Sequence, residues 1–425
     1  MSKEQISVWQ LQPGLYIELP LKWHEHPFLR GRFLIQDAGQ LEIIRGLNLE
    51  MVWFFPDKST AAPLTKMDAS ADTAAESDQA TAQTAAAWKT KQQRTDVLRQ
   101  RRERVRQVEK EYEAVAAMVK DCMFKMRNHP VQAMHESGAL IKQLADSLDA
   151  DESSLLHLMN PSADDDDMYY HALNVSILSM LVGKSLKLPR ALLEILGSGG
   201  LFHDIGKIKV PHAIVRNTGK LNPAETRFLE MHTKYGAELI EKYGKQAPEV
   251  VQIAAQHHER QDGSGFPAKL RGKEIAIPAR IVALVNEYDN LCNHLDPEKS
   301  VTPYEALSTL FSKMAGKFDK GIIQHLVRLL GVYPPGTIVQ LSDGGIGMVI
   351  TVNANELLWP SILMYDPEIP KQDAVIFDLS EDRTTKIVGS LRPRQLEKDV
   401  YKYLSPRERV SYFYKQMDKK TPTGG

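Results

Sequence analysis

The chain has 425 residues, of which 43% are hydrophobic and 25% are charged, so it is long enough for two or three domains with buried cores. Lysine and arginine (53) nearly balance aspartate and glutamate (54), which argues against a basic groove for a nucleic-acid polymer and against a polybasic membrane patch. The composition therefore favours a small-molecule ligand.

The cysteine content and the N-terminal sequence indicate a reducing compartment. Cys122 and Cys292 cannot build a disulfide framework, and the first ten residues contain no apolar signal segment. The most apolar helix candidate, Leu173 to Leu186, is interrupted by Asn174 and Lys184 and falls short of the roughly 18 to 20 apolar residues that a membrane span needs. We therefore expect a cytoplasmic protein without a membrane span.

Residues 1–56 alternate short apolar runs with turn residues such as Pro13-Gly14, which predicts a small β-rich domain. From residue 57 to about residue 87 the composition shifts to Ala, Thr, Ser, Asp and Gln. Such a segment buries too little apolar surface to offset its ordering entropy. Residues 57–87 are therefore predicted to be a flexible linker.

Residues 88–124 are predicted to form a helix that resembles a coiled-coil strand. Apolar side chains recur every seven positions in two rows offset by three: Leu98, Val105, Tyr112 and Val119; and Val108, Val115 and Cys122. This pattern is compatible with a homodimer formed through residues 98–122. The alternative is an amphipathic helix that packs on its own domain, because the heptads number fewer than four and Arg101 lies in the seam. The sequence leaves both alternatives open.

Residues 125–333 have mostly helical periodicity and carry the motifs described below. After Pro334-Pro335-Gly336, apolar residues alternate around a Gly-rich turn, Ser342 to Gly345, which predicts a second small β-rich domain over residues 334–425. The predicted fold class is mainly α: a central helical bundle flanked by small β-rich domains at the N-terminal and C-terminal ends.

An imidazole and a carboxylate are adjacent at His203-Asp204, and Lys207 follows three residues later. Histidine supplies a nitrogen ligand, whereas aspartate can bridge two cations and compensate their charge. Lys207 could then contact a phosphate oxygen. A His-Asp pair alone is common by chance, but the longer sequence HDIGK strengthens the prediction of a metal site.

Further histidines flank this motif at predicted helix positions. His171 lies one turn beyond Asp167 on the same helix face, so both could ligate one metal, whereas Asp164 to Asp166 are predicted only to stabilise the start of the helix. The sequence Asn222-Pro223-Ala224-Glu225 predicts the start of a helix that carries His232 about two turns further on.

Two more predicted helices complete the set. A helix that begins near Pro248 ends at His257-His258, before the loop Asp262 to Pro267, an arrangement that suits a metal site beside a substrate entrance. The apolar helix Ile281 to Leu291 carries Asn286 and Asp289 one turn apart.

With these motifs in order, residues 130–330 resemble the HD-GYP branch of the HD superfamily, whose members are metal-dependent phosphodiesterases of the bacterial messenger cyclic di-GMP. The matching motifs are HDIGK, His232, the sequence His257 to Pro267, and the sequence Pro278 to Ile281. The first 55 residues resemble the small domain of unknown function that often precedes HD-GYP modules. The resemblance implies an HD-type helical bundle.

The resemblance also implies a set of site residues. Lys207 matches the lysine that contacts substrate phosphate, and Arg280 is a further substrate-binding candidate. Asp204 would bridge two metals, and Asp204 and Lys207 are the catalytic candidates. Asp167 is a further metal-ligand candidate because of its spacing from His171. The cofactors would be two or three divalent ions, iron or manganese. The remaining metal-ligand candidates are His171, His203, His232, His257, His258 and Asn286.

The implied reaction is hydrolysis of cyclic di-GMP to pGpG or GMP in bacterial second-messenger signalling. The chain departs from the family pattern at two positions. Phe266 replaces a tyrosine, and Asn286, a neutral and weaker ligand, replaces an aspartate. Asp289 could take the place of that aspartate as a ligand. The chain also lacks an arginine and lysine pair within Leu291 to Glu298, so substrate binding must use other groups, among which Arg280, Lys299 and Lys269 are candidates.

Two other functions remain open from the sequence. A catalytically weak HD-GYP-like domain could bind nucleotide or signalling-protein partners as a scaffold, and metal binding without turnover would favour it. An HD hydrolase could also act on another phosphoester, such as a different cyclic dinucleotide, which a substrate panel would separate.

Overall fold

The computed structural model describes most of the chain, in two compact units. One unit comprises residues 1–103 with 343–345 and 363–377, and the other comprises residues 104–342 with 346–362 and 378–425. The described residues are 3–22, 25–28, 31–65, 77–149, 153–158, 167–244, 247–353, 356–367, 369–371, 374, 376–380, 383, 385–404 and 411–416.

Helices dominate the described part of the chain, and the strands form small sheets. In chain order the helices are α1 (Ala38–Arg45), α2 (Ser77–Asn128), α3 (Pro130–Asp149), α4 (Asp167–Ser185), α5 (Arg190–Phe202), α6 (His212–Val215), α7 (Pro223–Glu230), α8 (His232–Tyr243), α9 (Pro248–Gln256), α10 (Ile277–Cys292), α11 (Pro303–Phe311), α12 (Lys320–Leu330) and α13 (Lys398–Leu404). The strands are β1 (Glu4–Ser7), β2 (Tyr16–Glu18), β3 (Arg32–Leu34), β4 (Met51–Phe54), β5 (Ser153–Leu158), β6 (Ile338–Leu341), β7 (Ile346–Thr351), β8 (Ser361–Met364), β9 (Ile376–Asp378), β10 (Ile387–Leu391) and β11 (Ser411–Gln416).

The N-terminal strands form a four-stranded sheet in the order β1-β4-β2-β3, with antiparallel pairing. Asp37 caps the following helix α1 by accepting a hydrogen bond from the Gln40 amide, and α1 buries Leu41 and Ile44 in the same core as the sheet. The small β-rich domain predicted from the alternating apolar runs is therefore confirmed.

Helix α2 begins at Ser77, inside the segment predicted to be a flexible linker. Alanine occupies positions 80, 82 and 85–87, and alanine is the strongest helix former, so this stretch is helical without large apolar side chains. Residues 66–76 of the predicted linker lie outside the described residues.

The C-terminal half of the predicted coiled-coil seam packs within its own domain. Tyr112, Val115, Val119 and Cys122 are buried in the core of the helical bundle. This is the arrangement expected of the alternative to the coiled coil, an amphipathic helix that packs on its own domain.

Helix α4 runs through the centre of the bundle, and every residue from Ala172 to Val182 is buried. A helix that is apolar on all sides is buried on all sides, which explains the long apolar run in this segment. Gly200 allows α5 to approach α4 closely, because a Cβ there would lie 2.6 Å from the Ser176 Cα. Among the described helices, none is long and apolar enough to cross a membrane.

The C-terminal strands form a five-stranded sheet in the order β10-β6-β7-β8-β9. The Gly-rich turn between β6 and β7 contains Gly344 at a φ of +86°, a conformation that favours glycine. The last strand, β11, instead pairs with β5. The fold is thus mainly α with small antiparallel sheets, as the sequence predicts.

Candidate active site

The buried turn after α5 places His203 and Asp204 at the centre of the helical bundle. A short 3₁₀ helix, Ile205–Lys209, follows, and Gly206 within it packs against the start of α8. A Cβ at Gly206 would lie 1.9 Å from the His232 carbonyl oxygen, so only glycine allows this approach. The close contact brings His232 beside the His203-Asp204 pair.

His232 opens a helix of its own. Asn222 accepts hydrogen bonds from the Ala224 and Glu225 amides, as the predicted helix start requires, but α7 ends at Glu230. The prediction that one helix carries His232 is therefore wrong: the chain turns at Met231, and α8 begins at His232. His232 is buried in the bundle at this position, with 1% of the residue exposed.

The rings of three histidines are oriented by the same kind of hydrogen bond to the backbone. In each, Nδ1 contacts the carbonyl oxygen three residues earlier in the chain, so Nδ1 carries the proton and Nε2 presents its lone pair. The Nδ1 to oxygen distances are 2.7 Å for His203 to Gly200, 2.5 Å for His232 to Leu229 and 2.9 Å for His257 to Ala254.

One side of Asp204 faces His171 and His203. The Nε2 atoms of these two histidines are 3.2 Å apart, and Asp204 Oδ2 lies 3.3 Å from His203 Nε2 and 3.7 Å from His171 Nε2. His171 Nδ1 donates to Asp289 Oδ2 at 2.7 Å. Asp289 thus orients the His171 ring as the backbone carbonyls orient the others.

The other side of Asp204 faces His232 and His257. Their Nε2 atoms are also 3.2 Å apart, and Asp204 Oδ1 lies 3.3 Å from His232 Nε2 and 3.6 Å from His257 Nε2. His258 joins this group, whose ligand atoms all lie within 4.8 Å of one another. One carboxylate therefore serves two clusters, one through each oxygen.

Burial keeps the rings of His203, His257 and His258 neutral. It lowers the pKa of His203, lowers the pKa of His257 to about 3, and lowers the pKa of His258 well below its ordinary value. Burial alone would raise the pKa of Asp204, but the Lys207 ammonium holds that pKa well below its usual range. The site therefore combines neutral imidazoles with an ionised carboxylate.

This donor set fits divalent metal ions. The Nε2 lone pairs within each histidine pair face each other at 3.2 Å, and Asp204 Oδ1 is buried without a hydrogen-bond partner among the described residues. Facing lone pairs beside a buried carboxylate are unfavourable unless a cation lies among them. The described residues contain two groups with the required geometry: His171, His203 and Asp204; and Asp204, His232, His257 and His258.

Comparison with known proteins identifies two domains in this chain. A model of the HD domain matches residues 123–322, and a model of a domain of unknown function, DUF3391, matches residues 3–137. The cyclic di-GMP phosphodiesterase PA4108 of Pseudomonas aeruginosa is 28% identical over 394 residues, which cover 91% of each chain. The chain therefore carries a DUF3391 domain and an HD domain, the arrangement that the HD-GYP resemblance implies.

Other relatives match shorter stretches of the chain. The cyclic di-GMP phosphodiesterase response regulator RpfG of Xanthomonas campestris is 32% identical over 155 residues, which cover 36% of this chain and 41% of RpfG. The 3'3'-cGAMP-specific phosphodiesterase 2 of Vibrio cholerae is 31% identical over 126 residues, which cover 29% of this chain and 24% of that protein.

Helix α10 contributes Asp289 and Asn286, the two residues considered as possible metal ligands on that helix. Asp289 accepts hydrogen bonds from Asn174, His171 and Asn293, so its oxygens are turned toward these side chains rather than toward Asp204. Asn286, which stands where the HD-GYP pattern has an aspartate, is 1% exposed, and its Oδ1 accepts a hydrogen bond from the Asn290 amide at 2.9 Å. Asp289 therefore orients the His171 ring, which is a candidate metal ligand.

Of the cationic candidates, Lys207 lies at the HD-GYP site and Arg280 does not. Lys207 Nζ is 2.6 Å from Asp204 Oδ2. Arg280 donates to the Ile275 carbonyl at 2.8 Å and lies 3.5 Å from Asp319. The side chain of Asp167 lies outside the described residues.

A cavity of about 620 Å³ opens beside Asp204 and Lys207. Its wall includes two arginines, Arg127 and Arg216, that the sequence patterns did not single out. Arg127 lies at the end of α2 and Arg216 directly after α6, so no local motif connects either of them with the HDIGK sequence.

Proposed function

We propose that this protein is a metal-dependent phosphodiesterase that hydrolyses cyclic di-GMP to pGpG or GMP in the bacterial cytoplasm. The observation that carries the proposal is the position of Asp204, whose two oxygens each face a pair of histidine Nε2 atoms. Two bridged cations are the arrangement that phosphoester hydrolases use to stabilise both the attacking and the leaving oxygen.

Different residues of the site would bind the metal ions and the substrate phosphate. The two clusters around Asp204 would hold two divalent ions, and iron or manganese suits a set of imidazoles with one carboxylate. When bound, such ions supply Lewis acidity and lower the pKa of a water ligand. Lys207, at the cavity wall beside Asp204, would pair with a phosphate oxygen of the substrate and neutralise part of its charge.

Relatives support the substrate class. PA4108 and RpfG are named cyclic di-GMP phosphodiesterases, and PA4108 aligns with this chain over nearly its whole length. The V. cholerae relative is named for 3'3'-cGAMP, another cyclic dinucleotide, which supports that substrate as the second candidate. The two substrates share a ring with two phosphodiester groups and differ in one base.

The test is anaerobic purification with metal analysis, followed by turnover of cyclic di-GMP and 3'3'-cGAMP. The double variant His203→Ala/Asp204→Ala and the single variant Asp204→Asn should lose bound metal and more than about 100-fold of the activity. Asp146→Asn is the matched control, because its carboxylate is 71% exposed on α3 and lies outside both clusters. The control should retain wild-type activity.

The outcomes separate the proposed functions. Turnover that requires Asp204 supports a phosphodiesterase, and the faster of the two substrates identifies the preferred dinucleotide. A fully metal-loaded protein that turns over neither substrate contradicts the proposal and favours a scaffold that binds nucleotide or signalling partners.

A further inference from the structure

We propose that Arg127 and Arg216 hold the phosphate that is not being cleaved and thereby select a dinucleotide over a substrate with a single phosphodiester. This inference rests on the proposed function and extends it to substrate recognition. It assigns a role to two residues that lie outside the HD-GYP motifs in this sequence.

The cavity provides room for more than the reacting phosphate. Its volume of about 620 Å³ lies within the range of roughly 300 to 1,000 Å³ for sites that enclose small organic ligands. His171, Asp204 and Lys207 line the reactive part, and Tyr169 and Tyr170 add aromatic surface on which bases can stack. The cavity therefore continues from the metal ligands into a space suited to a nucleotide.

The charge along the cavity wall is uneven. The acidic residues among the described lining residues are Asp204 and Asp289, and both are already engaged, Asp204 by Lys207 and Asp289 by His171. The arginines on the wall, Arg127 and Arg216, add two positive charges beyond Lys207. The wall outside the metal ligands thus carries two guanidinium groups, which suit an anion.

The two arginines reach the cavity from different elements, α2 and the segment after α6. Within the described part of the chain, the guanidinium of Arg127 has no ion-pair partner. The planar guanidinium presents paired N–H donors that match phosphate oxygens, which makes arginine a better clamp for a phosphodiester than lysine. Two such groups can hold one phosphate from two directions.

The sequence between Leu291 and Glu298 supports the assignment. This stretch lacks the arginine and lysine that the family resemblance leads us to expect, and it contributes Asn293 and Leu295 to the cavity wall. A cyclic dinucleotide still carries a second negative charge away from the reacting phosphate. Arg127 and Arg216 supply the matching positive charge from elsewhere on the same wall.

The test compares two substrates in the full-length, metal-loaded protein. Cyclic di-GMP carries two phosphodiesters, whereas bis(p-nitrophenyl) phosphate carries one. Arg127→Gln and Arg216→Gln should each raise KM for cyclic di-GMP by about tenfold or more, with a smaller change in kcat, because a charge-assisted hydrogen bond to the bound substrate is lost. The loss of kcat/KM on bis(p-nitrophenyl) phosphate should be about tenfold smaller.

Arg328→Gln is the matched control, because it removes an exposed guanidinium at the end of α12, outside the cavity. Metal content and thermal melting of each variant confirm that the site and the fold are intact. Equal losses on the two substrates, or an unchanged KM for cyclic di-GMP, would overturn the role of the two arginines while leaving the phosphodiesterase function standing.

Equilibrium binding of cyclic di-GMP tests the same residues without turnover. If the wild type binds the dinucleotide but hydrolyses neither substrate, the proposed function fails; a tenfold or greater loss of affinity in the two arginine variants still supports the clamp. Equal affinities in the wild type and the variants, or no binding by the wild type, overturn it.

Discussion

The Phe266 ring stacks on the His258 imidazole, with ring centroids 4.5 Å apart and planes inclined by 21°. The other histidines of the two clusters are oriented through Nδ1, but the His258 ring has no hydrogen-bond partner among the described residues. Phe266 also contacts the His232 ring edge-on, at 6.4 Å. The Phe266 ring therefore orients the imidazole of His258, which no hydrogen bond from a described residue holds in place. This contact does not need the hydroxyl of a tyrosine.

Replacing Phe266 should weaken metal binding. Phe266→Leu removes the stacked ring, and we expect metal affinity to fall about tenfold because His258 loses its orientation. Phe266→Tyr is the control, since it keeps the ring and should keep the affinity. Titration of metal-depleted protein with Mn²⁺ measures the change. Wild-type affinity in Phe266→Leu would show that the stack does not orient His258.

Asp289→Asn should weaken one cluster more than the other. The substitution replaces the charged acceptor of the His171 Nδ1 proton, whereas His232 and His257 keep their backbone carbonyl partners. We expect a 10- to 100-fold loss of affinity for one of two ions and little change for the second. Two-site calorimetry with Mn²⁺ measures this split. A uniform loss for both ions would argue that Asp289 acts on the whole bundle instead.

Gly206→Ala should destabilise the protein. The added Cβ meets the His232 carbonyl oxygen, a backbone atom that no side-chain rotation can move, so we expect a loss of about 1–3 kcal/mol in the free energy of unfolding. Gly138→Ala is the matched control in α3, where no atom lies within 4 Å of the added Cβ. It should stabilise the protein by about 0.5–1 kcal/mol. Urea denaturation measures both, and equal stabilities would refute the packing argument.

Neither cysteine should react in the folded protein. Burial raises the pKa of Cys122 to about 12 and that of Cys292 well above its ordinary value. A raised pKa means less thiolate, about one part in ten thousand for Cys122 at pH 8. Ellman's reagent should therefore label both thiols at least about 100-fold more slowly in native than in denatured protein. Rapid labelling of the native chain would contradict this prediction.

The sequence predicted which residues come together at the site, but it did not predict the groups that orient their side chains. His171, His203, Asp204, His232, His257 and His258 come together as the motif order and the family resemblance implied. Their Nδ1 partners are mostly backbone carbonyls, which carry no sequence signal. Arg127 and Arg216 were missed for a related reason: they come from distant elements, and only the packing of the bundle places them on the wall of the same cavity as Lys207.

Local structure was harder to predict where competing rules gave different answers. The segment before Trp88 lacks large apolar residues, which favoured a linker, but its alanines favour a helix, and the helix begins at Ser77. The Asn222 cap was correctly predicted, yet nothing in the local sequence indicated the turn at Met231 that separates α7 from α8. Tertiary contacts at Gly206 accompany that break.

The backbone carbonyls behind His203, His232 and His257 have a consequence for how this site changes over evolution. A side-chain partner can be lost by a single codon change, whereas the carbonyls of Leu229 and Ala254 persist whatever side chain occupies those positions. Sequence drift at positions 229 and 254 is therefore buffered as long as the helices keep their packing. The side chains of Asp289 and Phe266 can each be lost by one mutation. A single substitution can therefore remove the contact that orients the His171 ring or the one that orients the His258 ring.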